Sequence, residues 1–165
     1  MTQAIVVMGP SGSGKSLIGA LLAADQGVPF VDADDLHPAS NIAKMASGTP
    51  LDDDDRMPWL DAVGAVLRDH APVVVACSAL RASYRDRLRH HAPRTWVVEL
   101  VVPTENLAER MQQREHFMPP ALLASQMATL EPLAATEAGV RMVNDGDPAE
   151  VVQQILAAAQ VAGER

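Results

Sequence analysis

Apolar positions along the chain fall into short continuous blocks separated by stretches of helical spacing. Ala4-Ile5-Val6-Val7-Met8 is apolar at successive positions, as a strand covered on both faces must be. Leu17 to Ala24 then has the composition of a helix. Pro29-Phe30-Val31 reads as a second strand, ending at Asp32-Ala33-Asp34-Asp35. Residues 35–47 read as mostly helical, with Gly48 as the stop. Pro58 predicts the opening of a helix to about Asp69, with Trp59, Leu60, Val63, Val66 and Leu67 on its apolar positions. Pro72 to Cys77 is the clearest buried strand, followed by a basic helix to about His90. Thr95 to Val101 predicts a fourth strand, and Thr104 the N-cap of a helix that Glu115 to Pro120 breaks. A further helix runs to about Leu130, Ala138 to Val143 is a last strand, and Ala149 to Ala162 a closing helix. Alternating strands and helices imply an α/β fold of three layers, with a parallel sheet between helices and right-handed crossovers. The pattern leaves the strand order open.

Composition narrows the function. At 165 residues the chain is expected to form one domain, 1–165, and 48% hydrophobic residues give it a proper core. No apolar run approaches the ~20 residues a membrane helix needs, so no membrane partner is expected. The first strand is read almost at Met1, so no signal peptide is expected. Cys77 is the only cysteine, which suits a reducing cytoplasm. A net charge of −8 argues against a nucleic-acid partner, and 3% aromatic residues against base stacking. A small-molecule substrate fits best.

The chemistry starts at Gly9-Pro10-Ser11-Gly12-Ser13-Gly14-Lys15-Ser16, which fits G-x-x-x-x-G-K-[ST] between a strand and a helix. Gly9, Gly12 and Gly14 let successive N–H groups, those of Ser11 and Ser13 included, curl round a phosphate. The N-terminus of the following helix points its positive end there. Lys15 can reach the β- and γ-phosphates and the Ser16 hydroxyl can ligate Mg²⁺, so the loop reads as a nucleoside triphosphate site. A glycine-rich turn of no function is the plain alternative, and the intact Gly14-Lys15-Ser16 weighs against it. Asp32 and Asp34 lie two apart after the second strand, so an extended backbone would point both to one face. They could serve the Mg²⁺ shell or accept the proton of an attacking hydroxyl.

Further blocks are more specific. Asp32 to Pro38, Asn41 to Met45, Ser47 to Leu51, Asp53 to Leu60, Cys77 to Arg81 with Tyr84-Arg85-Asp86, and His116-Phe117-Met118 together resemble the gluconate kinase family. The match runs nearly end to end. The resemblance implies ATP-dependent phosphorylation of the 6-hydroxyl of D-gluconate. It also implies a nucleoside-monophosphate-kinase-like version of the phosphate-loop NTPase fold, a homodimer, a substrate segment at about 32–60 and a lid at about 110–130. A sugar acid offers one carboxylate and a row of hydroxyls, which calls for cations beside hydrogen-bonding groups. Arg56 and Arg81 could grip the carboxylate, while Asp34, His37, Ser78 and His116 bind along the chain of hydroxyls. Lys44 either contacts substrate or pairs with nearby acids. Asp34 is expected to deprotonate the attacking hydroxyl and Asp32 to sit nearer Mg²⁺, though the two roles are interchangeable on sequence alone. Arg110 and Arg114, four apart on one helical face, would swing onto the phosphates as the lid closes. The Asn144 turn stands where this fold holds the adenine edge. Arg85, Arg87 and Arg89 read as a solvated face, and Asp52 to Asp55 as solvated charge and capping.

Three positions depart from the family pattern. Glu115 replaces a usual glycine, Met127 a common aromatic, and Arg81 a more frequent lysine. Two competitors remain. A shikimate kinase would lack the His37-Pro38, Asn41-Ile42 and Asp53 to Trp59 blocks. A nucleotide-dependent switch would need a water-positioning residue and a partner patch, and neither is visible.

Overall fold

A computed structural model describes residues 3–112 and 120–163. Five strands form one parallel sheet: β1 (Ile5–Met8), β2 (Phe30–Asp32), β3 (Val74–Ala76), β4 (Trp96–Val101) and β5 (Gly139–Val143). Their order across the sheet is β2-β3-β1-β4-β5. Seven helices connect and follow them: α1 (Lys15–Gln26), α2 (Ala39–Ala46), α3 (Asp53–Asp69), α4 (Ala82–His91), α5 (Thr104–Gln112), α6 (Pro120–Thr129) and α7 (Pro148–Gly163).

Alternation along the strands sorts the helices into two layers. Val6 and Met8 of β1, with Val75 and Val97, face Trp59, Leu60, Val63 and Leu67 of α3 and Tyr84 and Leu88 of α4. Ile5 and Val7, with Val74, Trp96 and Val98, face Ile18 and Leu22 of α1 and Val151, Val152 and Ile155 of α7. Both faces of the central strands are therefore dry, which accounts for their continuous apolar runs. Central β1 pairs with β3 on one side and β4 on the other, so the loop after it opens at the topological switch point.

Two segments differ from the sequence expectation. The stretch after β2 is not one helix. A 3₁₀ turn covers Ala33–Leu36, and α2 starts only after Pro38, which cannot follow a helical residue without a clash. Helix α3 begins at Asp53, with Pro58 inside it. A capping box sets that start: Asp52 accepts from the Asp55 N–H at 2.8 Å and Asp55 from the Asp52 N–H at 3.0 Å. Reciprocal satisfaction of two orphan donors outweighs the one helical bond that Pro58 withholds.

Candidate active site

The phosphate loop is held from behind. Asn144, buried at the end of β5, donates from Nδ2 to the Ser13 carbonyl at 2.7 Å. Arg110 of α5 donates to the Asn144 carbonyl at 2.8 Å and lies 3.5 Å from the Gly12 carbonyl. With the Ser13 carbonyl drawn outward, the N–H of the same peptide, that of Gly14, turns inward, where an anion can meet it, whereas the Ser13 N–H donates to the Pro10 carbonyl at 3.2 Å. Gly14 is required twice over: its φ is 87°, and a Cβ there would lie 2.5 Å from Asn144 Nδ2. Arg110 thus contacts the loop itself.

Beside the loop, on the acceptor side, lies a cavity of about 260 Å³. Ser11 and Lys15 line it from the loop, Asp34 and His37 from the segment after β2, Arg56 from α3, and Ser78 from the end of β3. Leu122, Ser125 and Gln126 of α6 close its remaining side. Five separated stretches of chain therefore converge where a parallel sheet places its ligands.

The two aspartates separate. Asp34 belongs to the 3₁₀ turn rather than to an extended strand, so the two side chains do not share a face. Asp32 caps that turn, accepting the Asp34 N–H at 3.0 Å, and its other oxygen accepts from Ser16 Oγ at 2.6 Å. Asp34 instead projects its exposed carboxylate into the cavity.

His37 is almost fully buried and stacks on Trp59 with ring centroids 4.2 Å apart. Burial lowers its pKa, with Arg56 adding to the effect and Asp34 opposing it, so the ring is neutral at neutral pH. Asn41 Nδ2 donates to the Asp55 carbonyl at 3.0 Å, which fixes the amide's orientation, and lies 3.2 Å from His37 Nδ1. Nδ1 must then accept, leaving the ring proton on Nε2, on the side facing Asp34 at 3.9 Å. Arg56 bonds the Tyr84 hydroxyl at 3.1 Å, and Tyr84 in turn donates to Asp53. Burial raises the Tyr84 pKa, Asp53 reinforcing it, so the phenol stays protonated and able to donate.

Not every expected site residue reaches the cavity. Lys44 is bound by both oxygens of Asp55, at 2.7 and 2.9 Å, so its ammonium pairs with an acid, the second of its two expected uses. Arg81 lies outside, in a groove with Asp53, 3.9 Å away, and over the Tyr84 ring. It is the N-cap residue of α4. Arg114 and His116, with Glu115, lie outside the described residues. Cys77 is a buried small residue as expected, its thiol pushed up to about 12 by burial.

Arg85 corrects the expectation of a solvated basic face. It is only 1% exposed and donates to Glu137 at 2.7 and 2.8 Å and to the carbonyls of Ala79 and Glu131 at 3.2 and 3.1 Å. Arg89 joins it on Glu137 at 2.7 Å. Ala79, at φ 40°, is a non-glycine residue in left-handed geometry directly after Ser78, and the buried arginine helps hold it there. Glu131 adds a second stitch, donating its N–H to the Leu80 carbonyl at 2.7 Å and accepting the Ala82 N–H at 2.8 Å. The acceptor loop and the exit of α6 are therefore one joined unit. Helical spacing marks the face that carries Arg85, but its partners lie about fifty residues downstream and leave no local signal.

The joint predicts an acid response. The Arg85 bond, helped by Arg89 and the Ala134 N–H and opposed by burial, holds the Glu137 carboxyl at about 2, against an ordinary 4.5. A depressed carboxyl stabilises the fold fully above its unfolded pKa, and that contribution is lost as pH falls towards the folded value. Urea midpoints should therefore drop between about pH 4.5 and 2, and Glu137→Gln should flatten that part of the profile. Parallel acid profiles for the two proteins would remove Glu137 from the account.

Residues 5–133 match the AAA domain family. A parallel sheet whose first loop carries this phosphate cradle, opening on a polar acceptor cavity, defines a phosphate-loop kinase of small molecules. The chain is 44% identical over 158 residues to the thermosensitive gluconokinase of Escherichia coli K12, covering 92% of this chain and 84% of that protein. It is 41% identical over 157 residues to the gluconokinase of Gluconobacter oxydans 621H, covering 92% and 88%. The crystal structure of a gluconokinase from Sinorhizobium meliloti 1021 matches with a TM-score of 0.91 at 48% identity, covering 99% of this chain and 95% of that one. The chain belongs to the gluconokinase family.

Proposed function

We propose that this chain transfers the γ-phosphoryl group of ATP to the 6-hydroxyl of D-gluconate, giving 6-phosphogluconate and ADP. The observation that carries the reading is one cavity joining Lys15 and Ser11 of the phosphate loop to Asp34, His37, Arg56 and Ser78. A guanidinium, a neutral imidazole donor, a hydroxyl and a carboxylate suit a substrate with one carboxylate and several hydroxyls. Arg56 takes the carboxylate as a planar fork, and His37 Nε2–H and Ser78 take hydroxyls along the chain. Asp34 accepts the proton of the attacking hydroxyl as the new P–O bond forms, and the γ-phosphorus parts from the ADP oxygen.

The amides of Gly12, Gly14, Lys15 and Ser16 and the Lys15 ammonium hold the phosphates, and Arg110 with Asn144 keeps the loop in shape. The Ser11 and Ser13 N–H groups, expected to join them, are taken by Gln126 Oε1 at 2.8 Å and the Pro10 carbonyl at 3.2 Å. Ser16 Oγ and an Asp32 oxygen lie 2.6 Å apart, a hard oxygen pair that suits Mg²⁺. When bound there, Mg²⁺ neutralises charge on the transferred phosphate. The lid segment, about 110–130 with Arg114 and His116, completes the site and excludes water. Among the described residues no helix is long and apolar enough to cross a membrane. A cytoplasmic homodimer of single-domain chains is the setting we assign.

ADP release measured with Mg-ATP and gluconate, idonate, shikimate or no acceptor tests the assignment. A rate that depends on gluconate supports it. Equal rates with and without every acceptor would sink it.

A further inference from the structure

Gln126 of α6 is absent from the sequence reading, yet it touches both halves of the site. Its Oε1 accepts the Ser11 N–H at 2.8 Å, and its side chain lines the acceptor cavity with Asp34 and Ser78. A backbone N–H can only donate, so the carboxamide must present its oxygen to Ser11. The NH₂ group is thereby turned away from the loop, and no hydrogen bond from it is made among the described residues. Gln126 therefore offers the cavity a donor and no acceptor, at a position anchored to the phosphate loop itself.

The anchor decides which part of the substrate that donor meets. The reacting hydroxyl must stand in line with the γ-phosphate, beside Lys15 and Ser11. The carboxylate, at the other end of a six-carbon chain, belongs to Arg56. A donor pinned to Ser11 thus lies at the reacting end, within reach of the hydroxyl on the neighbouring carbon. Resting on the gluconate reading above, we propose that Gln126 is a substrate-specificity residue: its NH₂ group donates to the 5-hydroxyl of the sugar acid and reads the configuration at C5. Idonate, the C5 epimer of gluconate, directs that hydroxyl elsewhere and leaves the donor without a partner.

Initial rates of the wild-type chain and of Gln126→Leu, with gluconate, idonate and 5-deoxygluconate, test this. The wild type should prefer gluconate over both analogues by about tenfold or more in kcat/KM, the worth of one hydrogen bond with its unpaired donor. In Gln126→Leu the three acceptors should converge, with gluconate falling about tenfold and the KM for ATP little changed. A variant that slows all three acceptors alike while raising the KM for ATP would make Gln126 a brace of the loop and overturn the proposal. Equal use of gluconate and 5-deoxygluconate by the wild type would overturn it whether or not the variant folds. A wild type that releases no ADP in response to gluconate would instead overturn the kinase reading on which the proposal rests.

Discussion

Asp34→Asn is expected to lower kcat for gluconate by about 10²- to 10⁴-fold, the range for loss of a positioned general base. The KM for ATP should stay close to the wild-type value. The two aspartates are distinguished by what already occupies them. Asp32 is engaged on both oxygens, by Ser16 Oγ at 2.6 Å and the Asp34 N–H at 3.0 Å. Asp34 is exposed to the cavity, with the neutral His37 ring 3.9 Å from its carboxylate. Asparagine keeps the shape and the turn while removing the lone-pair charge that draws the proton. A variant that lost nucleotide affinity and catalysis together would point to a role at the metal instead, and the roles of Asp32 and Asp34 would exchange. Isothermal titration with a non-hydrolysable ATP analogue, beside the rate assay, separates the two outcomes.

The second large effect is on stability. Arg85→Met is expected to destabilise the fold by about 3–5 kcal/mol, the usual cost of removing one partner from a buried ion pair. For a chain of this length that is a fall in Tm of roughly 6–20 °C. The reason is the number of groups left behind: Glu137 and the carbonyls of Ala79 and Glu131 all lose a donor in one substitution. Arg89 remains on Glu137 and moderates the loss of charge, but it reaches neither carbonyl of this set. Adding Glu137→Met to Arg85→Met should recover part of the deficit, because the second change removes the uncompensated carboxylate. A melting temperature for Arg85→Met within a degree or two of the wild type would show that the joint between α4 and the exit of α6 carries no stability. The KM for gluconate is expected to rise in the same variant, since Ser78 precedes the strained Ala79 that Arg85 holds.

The features readable in the sequence were those whose cause is local. The phosphate loop announces itself because a strand, three glycines and a helix start must be consecutive to make a cradle. β1 and β3 were legible because strands buried on both faces have no polar positions to spare, and β4 departs from that rule only at the buried Glu99. The break at Pro38 had its signal in the proline itself, and the reading of residues 35–47 as mostly helical passed over it. The start of α3 was misplaced for a subtler reason: Pro58 is a common first helical residue, while the Asp52–Asp55 box that sets the true start looks like one more run of acid. Arg85 and Gln126 were out of reach altogether. Their partners, Glu137 and Ser11, lie 52 and 115 positions away, and nothing in the spacing of either residue names a partner that distant. Arg81 is a different case: the family resemblance implies a place at the substrate, and the structure sets it 3.9 Å from Asp53, in a groove that it shares with Arg56.

The way the phosphate loop is held also bears on how the chain is made. Synthesis runs from the N-terminus, so Gly9 to Ser16 leaves the ribosome before the residues that shape it. The groups that shape it arrive last: Arg110 on the Gly12 carbonyl, Gln126 on the Ser11 amide and Asn144 on the Ser13 carbonyl. A growing chain therefore carries the complete motif for some time without the restraints that aim its amides. The cradle takes its described shape once β5 has paired with β4 and brought Asn144 beneath the loop. The shape of the phosphate cradle is thus a late product of folding, set by residues 98 to 131 positions beyond the loop residues they hold.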